Sequence, residues 1–176
     1  MKHDNDIASV DIEIAVAKLF DSRRNLIVPN VSWGLGIHEC DLLIVTKNNY
    51  AYEVEIKISK ADILQDRKKT HAHNSKKIKF LYFAIPKHLL SCIDLIPERA
   101  GIIIADRDKY DTCFASFLPN RTVKANPDAR PLTDQERLKV AELGCMRIFD
   151  LKRANVNLYN QYAISPLLPG QHNHDT

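Results

Sequence analysis

The pattern of apolar positions in the first third of the chain predicts one helix followed by three strands. Apolar residues recur at helical spacing between Asp6, a candidate cap, and Phe20. The predicted buried stripe of this helix consists of Ile7, Val10, Ile14, Ala17 and Leu19. Strand patterns then cover residues 25–32, 40–46 and 50–58. Pro29 lies inside the first of these strands, which indicates a sheet edge or a bulge.

The remaining pattern interleaves strands and helices. Ser59 and Asp62 form a capping box, so we expect a helix from there to about Lys69 or His71. Apolar runs then predict a strand over 78–85, a short helix over 88–95 and strands over 101–105 and 112–118. Three prolines within 119–131 predict a loop. A second capping box, from Thr133 to Glu136, begins a helix whose predicted apolar face carries Leu138, Ala141, Cys145, Ile148 and Phe149. This order predicts an α/β sheet flanked by helices.

Length and composition suit one globular domain. Of the 176 residues 45% are hydrophobic and 27% are charged, which excludes a disordered chain. We expect a domain over residues 1–165 and a mobile polar tail over 166–176. No apolar run approaches the roughly 20 residues of a membrane span, and the polar N-terminus does not resemble a signal peptide. The four cysteines lack C-x-x-C spacing, so we expect reduced, buried thiols in a cytoplasmic protein.

Charge is distributed unevenly along the chain. The net charge of +3 combines a net −3 over residues 1–59 with a net +5 over residues 60–79. An acidic segment next to a basic one suits a metal-dependent site that acts on a polyanion, although basic runs are also common on solvated surfaces. The candidate contacts to nucleic-acid phosphates are Lys60, Arg67, Lys68, Lys69, Lys76 and Lys77.

The predicted hairpin over residues 40–58 concentrates acidic side chains on one face. A turn centred on Asn48 places Asp41 directly opposite Glu55, with Cβ atoms roughly 5 Å apart. Because strand side chains alternate, Glu53, Glu55 and Lys57 point to the same side as Asp41. Two carboxylates this close repel each other unless a cation such as Mg²⁺ lies between them. The alternative is that Glu39, Glu53, Glu55 and Lys57 form cross-strand ion pairs at a sheet surface. The opposite face is apolar, with Leu42, Ile44, Tyr52, Val54 and Ile56.

These residues resemble a known motif. Asp41, followed after a strand and a turn by Glu55-Ile56-Lys57, resembles the D…(D/E)-x-K motif of the PD-(D/E)XK nuclease superfamily. The predicted element order up to Ile85 is similar to the αβββαβ core of that superfamily, which carries its motif on the second and third strands. Residues 55–62, 80–86 and 97–106 also look like the MmcB-related branch of DNA-repair proteins. The resemblance covers about residues 37–106.

The resemblance implies a fold and a set of site residues. The fold would be restriction-endonuclease-like, with a mixed central sheet flanked by helices, followed by C-terminal strands and a long helix. Asp41, Glu55 and the backbone carbonyl of Ile56 would bind Mg²⁺ or Mn²⁺, and Lys57 would be the catalytic lysine. Many members also carry an acid on the first helix. Glu13, next to the predicted apolar stripe, is our choice for it, with Asp11 second; a solvent-exposed glutamate is the other interpretation of Glu13.

The expected function is that of a metal-dependent deoxyribonuclease, acting in DNA repair or mobile-element biology. One alternative is a nucleic-acid-binding module on the same fold that does not cleave. Another is an interaction protein whose hairpin acids pair with lysines. The sequence leaves open DNA versus RNA, endo versus exo action, and whether the chain forms a homodimer.

Two smaller expectations concern individual side chains. His71, His73 and His88 could suggest a metal site, but a lysine-rich stretch with no cysteine partner favours a polar loop. We also expect Lys57→Ala and Asp41→Ala to leave the fold intact, because a site on a sheet face uses strands that are held by their apolar side.

Overall fold

The computed structural model describes residues 7–67 and 73–164, with side chains as far as Tyr159. Its helices are α1 (Ser9–Leu19), α2 (Lys60–Asp66) and α3 (Asp134–Ile164), with a 3₁₀ helix over Lys87–Leu95. Its strands are β1 (Leu26–Val31), β2 (Cys40–Val45), β3 (Ala51–Ile56), β4 (Ile78–Pro86), β5 (Gly101–Arg107) and β6 (Cys113–Phe117). The predicted order of elements is confirmed. Asp6, the predicted end of α2 and the predicted tail lie outside the described residues.

The six strands form one mixed sheet in chain order. β1, β2 and β3 are antiparallel, β3, β4 and β5 are parallel, and β6 is antiparallel to β5. Pro29 lies in β1, an edge strand, as predicted. In the β2–β3 hairpin Leu43 faces Glu53 and Ile44 faces Tyr52, which is the register that a turn centred on Asn48 requires. The mixed α/β fold is therefore confirmed.

Helix α1 covers one face of the sheet. Its buried residues Ile12 and Val16 pack against Leu42, Ile44 and Val54. The predicted stripe of α1 is wrong in part, because Val10 is 55% exposed and Ile14 is 51% exposed. The sequence carries two overlapping apolar stripes on this helix, and the stripe through Ile12 and Val16 is the one that meets the sheet.

The opposite face is covered in two places. The first turns of α3 bring Val140 and Leu143 onto Leu43 and Val45. Over β4 and β5, Ile63 of α2 and residues of the 3₁₀ helix pack on Leu81, Phe83 and Ile102. The polar residues of β3 lie on this same face, between two apolar clusters.

The start of α3 follows the predicted capping box, but its buried face differs from the prediction. The Thr133 backbone N–H donates to the Glu136 carboxylate at 2.9 Å, and the Glu136 N–H donates to Thr133 Oγ1 at 3.2 Å. Leu138, predicted on the apolar face, is 60% exposed, whereas Val140 and Leu143 are buried. Val140 and Leu143 are the residues that pack against β2 in this part of α3.

The chain divides into two compact units, residues 1–144 and residues 145–176. The first unit contains the whole sheet. The second consists, in its described part, of the helical residues 145–164. Cys40 and Cys92 are buried as expected, whereas Cys145 is exposed, which contradicts the expectation for that thiol. Over the described ranges, none of the helices has the length and apolarity that crossing a membrane requires.

Candidate functional site

The structure brings Asp41, Glu55 and Lys57 together at one end of the β2–β3 hairpin. Lys57 Nζ lies 2.6 Å from Glu55 Oε2 and 3.9 Å from Asp41 Oδ2. The backbone N–H of Ile56 donates to Asp41 Oδ2 at 2.7 Å. The N–H of Lys57 continues the sheet by donating to the Ala84 carbonyl at 3.0 Å. Three of the four residues predicted to form the catalytic site, and Ile56, are therefore neighbours.

These side chains differ in their access to solvent. The side chain of Asp41 is 39% exposed, while that of Glu55 is 1% exposed and that of Lys57 is 10% exposed. Burial lowers the pKa of Lys57, but the charge and hydrogen bond of Glu55, and the charges of Asp66 and Asp41, raise it more. Lys57 is therefore a cation at neutral pH, and the cluster opens to solvent through Asp41.

The predicted helical acid, Glu13, lies near this cluster. Glu13 is half-buried, and burial together with the charge of Asp41 raises its pKa. The second choice, Asp11, is occupied elsewhere. Its carboxylate lies 2.7 Å from Arg107 Nη2 and accepts the N–H of Ala8, at the start of α1. Glu13 is therefore the acid of α1 that interacts electrostatically with Asp41.

A chain of buried polar side chains continues from Lys57. Lys57 Nζ lies 3.1 Å from Asp66 Oδ1, and Asp66 Oδ2 accepts from His73 Nε2 at 2.7 Å. Glu53 Oε1 in turn accepts from His73 Nδ1 at 2.6 Å and from His38 Nε2 at 2.7 Å. Helix α2 positions Asp66, since the Ser59 hydroxyl caps the first turn of that helix. These contacts link β3 to α2, to the segment before β4 and to the segment before β2.

His73 lies in a turn between α2 and β4, as the expectation of a loop requires, but its side chain is buried and only 3% exposed. Burial lowers the pKa of His73, but hydrogen bonds with Asp66 and Glu53 raise it to about 9. Burial raises the pKa of Glu53, and the hydrogen bonds from His38 and His73 lower it further than burial raises it. His88, by contrast, is exposed, and His71 lies outside the described residues.

Sequence reasoning missed His38 and His73 as members of this site. Their partner Glu53 is 15 residues from His38 and 20 residues from His73 along the chain, so no local pattern connects them. The one feature of the sequence that could have indicated these partners was Glu53 itself. An acid on the inward face of a strand that is flanked by buried strands requires buried partners.

The carboxylates suit a divalent cation. Asp41 and Glu55 offer the oxygen donors that Mg²⁺ and Mn²⁺ prefer, and an ammonium already lies within 3.9 Å of both. The position between them thus accommodates positive charge. Two further groups, His38 with Glu53 and His73, and Glu55 with Asp66 and His73, have potential ligand atoms within 4.8 Å of one another.

The predicted phosphate-binding residues fall into three groups. Lys60, Arg67 and Lys76 are exposed. Lys77 is partly buried; it pairs with Glu136 at 3.0 Å and donates to the carbonyl of Leu35. Lys68 and Lys69 lie outside the described residues. The structure therefore leaves three of the predicted cations at the surface and engages Lys77 within the fold.

A groove of about 550 Å³ adjoins the polar chain. It shares Asp66 with that chain and is lined also by Arg67, Asn74 and Arg99. Arg99 Nη2 donates to the carbonyl of His73 at 2.8 Å, so its guanidinium is anchored beside the site. The groove thus carries two arginines on the side of Asp66.

Comparison with known proteins identifies a fold and no activity. No family model matches the chain, and no curated protein matches it. Among solved structures, the chain is similar to the SPO1766 protein of unknown function from Silicibacter pomeroyi, with a TM-score of 0.56 and 14% identity. The match covers 93% of this chain and 99% of that protein. At this identity the likeness concerns the mixed α/β fold alone.

Proposed function

We propose that the protein is a metal-dependent nuclease that hydrolyses phosphodiester bonds in nucleic acid, with DNA as the expected substrate. The observation that supports this most is the Asp41–Glu55–Lys57 cluster. It combines two carboxylates with an ammonium 2.6 Å from one and 3.9 Å from the other, on a sheet face that opens to solvent. These are the groups that metal-assisted hydrolysis of a phosphodiester needs.

Each residue has a definite part in this proposal. Asp41 and Glu55, with the carbonyl of Ile56, would hold Mg²⁺ or Mn²⁺, which when bound polarises a phosphate oxygen and makes a bound water more acidic. Lys57 donates hydrogen bonds to the attacking water and stabilises the negative charge that develops on the phosphate. Without a metal ion, burial is outweighed by the charge and hydrogen bond of Glu55, which raise the pKa of Lys57, so that it is a cation there. Glu13 adds a third carboxylate near Asp41.

The surroundings of the cluster favour a polyanionic substrate. The groove beside Asp66 carries Arg67 and Arg99, and Lys60 is exposed at the start of α2. Cations in this arrangement bind phosphates without reading sequence. DNA is preferred to RNA only because of the motif that Asp41, Glu55 and Lys57 share with deoxyribonucleases.

The test is a cleavage assay with parent protein and Asp41→Asn on single-stranded, duplex and branched DNA and on RNA. Asparagine keeps an oxygen that accepts the Ile56 N–H but removes the charge. We expect cleavage with Mg²⁺ or Mn²⁺, none with chelator, and a decrease of about 100-fold or more in Asp41→Asn, because metal-based charge stabilisation contributes several kcal/mol. The exposed Asp128→Asn is the matched control and should cleave like the parent.

Two results would contradict the nuclease. Binding of nucleic acid without metal-dependent cleavage by the parent would support the non-cleaving module instead. Absence of both binding and cleavage would support an interaction protein in which Lys57 only neutralises Glu55 and Asp66.

A further inference from the structure

Glu53 is a carboxylate on a strand whose paired residues on both neighbouring strands are leucines. It is fully buried, and its neighbours on the adjacent strands are Leu43 and Leu81. Burying an ionised carboxylate is costly unless it is paired or binds a metal. Oε1 accepts from two imidazoles, whereas Oε2, which is also buried, has no hydrogen-bond partner within residues 7–67 and 73–164. One oxygen of a fully buried acid therefore has its lone pairs available.

The two histidines complete a set of three ligand atoms. Potential ligand atoms of His38, Glu53 and His73 all lie within 4.8 Å of one another. Ligands of a tetrahedral ion at about 2.0–2.2 Å lie roughly 3.3–3.6 Å apart, given the usual zinc–ligand distances. The observed 2.6 and 2.7 Å separations are those of hydrogen bonds, so an outward movement of several tenths of an ångström at each side chain admits an ion.

Asp66 supplies the supporting hydrogen bond that metal-binding histidines usually have. If Nδ1 of His73 faces the ion, Nε2 donates to Asp66 Oδ2, at the 2.7 Å observed. A carboxylate on the far nitrogen fixes the tautomer and the ring orientation and makes the ligand more basic. The arrangement carboxylate–histidine–ion is thus already present in the positions of Asp66 and His73.

We propose that His38, Glu53 and His73 form a binding site for a divalent transition-metal ion, with Zn²⁺ as the ion that fits the donor set. Two imidazole nitrogens and one carboxylate oxygen favour Zn²⁺ over Mg²⁺, which prefers oxygen. The site uses neither Asp41 nor Glu55 and does not rest on the nuclease proposal.

The burial of its ligands indicates that this ion is structural and not catalytic. The side chains of His38, Glu53 and His73 are 9%, 0% and 3% exposed, which leaves little access for a substrate. The ion would join β3 to the segment before β2 and to the segment before β4. Asp66 contacts both His73 and Lys57. By fixing His73, the ion would therefore also fix Asp66 and, through it, the position of Lys57.

The test uses the full chain, stripped with chelator and titrated with Zn²⁺ by calorimetry and with Co²⁺ by visible spectroscopy. We expect one tight Zn²⁺ site per chain, distinct from any weaker binding at Asp41 and Glu55, together with the visible bands of four- or five-coordinate Co²⁺ and an increase in melting temperature with Zn²⁺. His38→Gln keeps a donor toward Glu53 but removes the imidazole, and it should weaken Zn²⁺ binding at least about 100-fold. Asp66→Asn should weaken it about 10–100-fold. The exposed His88→Gln and Asp128→Asn should bind Zn²⁺ like the parent.

Several outcomes would overturn the proposal. The first is absence of Zn²⁺ uptake by the parent, and the second is unchanged Zn²⁺ affinity in His38→Gln. The third is loss of Zn²⁺ binding in Asp41→Asn, which would place the ion between Asp41 and Glu55. Weaker binding in Glu55→Gln with no change in His38→Gln would place it on the group of Glu55, Asp66 and His73. Circular dichroism of each variant separates loss of binding from loss of fold.

Discussion

At the scale of single residues, Lys57 has both a structural and a proposed catalytic role. Its ammonium lies 2.6 Å from Glu55, 3.1 Å from Asp66 and 3.9 Å from Asp41. Glu55 and Asp66 are buried, so this ammonium compensates charge inside the protein. The expectation that Lys57→Ala leaves the fold intact is therefore revised. The motif identifies Lys57 from the sequence alone. How deeply its partners Glu55 and Asp66 are buried depends on how α2 packs on the sheet.

We predict that Lys57→Ala destabilises the metal-free protein by about 3–5 kcal/mol, the usual effect of removing one partner of a buried ion pair. Urea unfolding measures the change. Mg²⁺ should restore part of the stability, because a cation between Asp41 and Glu55 replaces the missing charge. The control is Lys60→Ala, an exposed lysine three residues on, with an expected change within about 0.5 kcal/mol. Equal stability of Lys57→Ala and parent would show that the ion pair is not structural.

His73 leads to a prediction about pH. Its pKa is raised from 6.5 to about 9 in the folded protein, because Asp66 and Glu53 outweigh the effect of burial. A raised pKa means that the folded state binds the proton more tightly. The stabilisation is complete below about pH 6.5 and disappears as pH rises to about 9; at 1.36 kcal/mol per pKa unit it is on the order of 3 kcal/mol.

The measurement is melting temperature in chelator between pH 6 and 10. We expect the melting temperature of the parent to fall by several degrees across this range and that of His73→Gln to fall much less, since the glutamine does not titrate. His88→Gln should follow the parent curve, because His88 is exposed. A His73→Gln curve parallel to that of the parent would mean that His73 is not protonated between Asp66 and Glu53.

At the scale of elements, short-range patterns predicted the β2–β3 hairpin well. Alternation and the turn determine its register, and both are local. The buried faces of α1 and α3 were harder to predict. In α1, Val10 and Ile14 are as apolar as Ile12 and Val16, and only packing on the sheet decides which pair is buried. Helical periodicity gives a choice of stripes when apolar residues surround the helix.

The same contrast between local and distant information applies to the site. Asp41, Glu55 and Lys57 lie on one hairpin, so strand periodicity and pairing were sufficient to group them. Glu53 meets His38, which precedes β2, and His73, which follows α2, only in the folded chain, and Asp66 joins them through His73. A buried polar chain of this kind depends on tertiary interactions that no sequence window contains. The acid at position 53 predicts that partners exist without identifying them.

At the scale of the whole molecule, the uneven charge of the sequence becomes a spatial arrangement. The acidic hairpin and the exposed cations of the following segment lie in the same unit, with the arginine-bearing groove next to Asp66. The structure also separates two adjacent lysines by role. Lys76 is exposed, whereas Lys77 pairs with Glu136 of the α3 capping box. Overall charge therefore overstates how many cations can meet a phosphate backbone.

This separation yields a prediction for nucleic-acid binding. The triple variant Lys60→Ala, Arg67→Ala, Lys76→Ala should bind duplex DNA more weakly, to a similar extent for unrelated sequences. Its plot of log affinity against log salt should flatten by about 0.9 for each phosphate that the protein no longer neutralises. Lys77→Ala is the matched control. It should keep the slope of the parent but melt at a lower temperature, because Glu136 then keeps Arg130 but loses a cationic partner, and the Leu35 carbonyl loses its donor. An unchanged slope in the triple variant would mean that this surface faces away from DNA, and a flatter slope in Lys77→Ala would mean that Lys77 leaves Glu136 to bind phosphate.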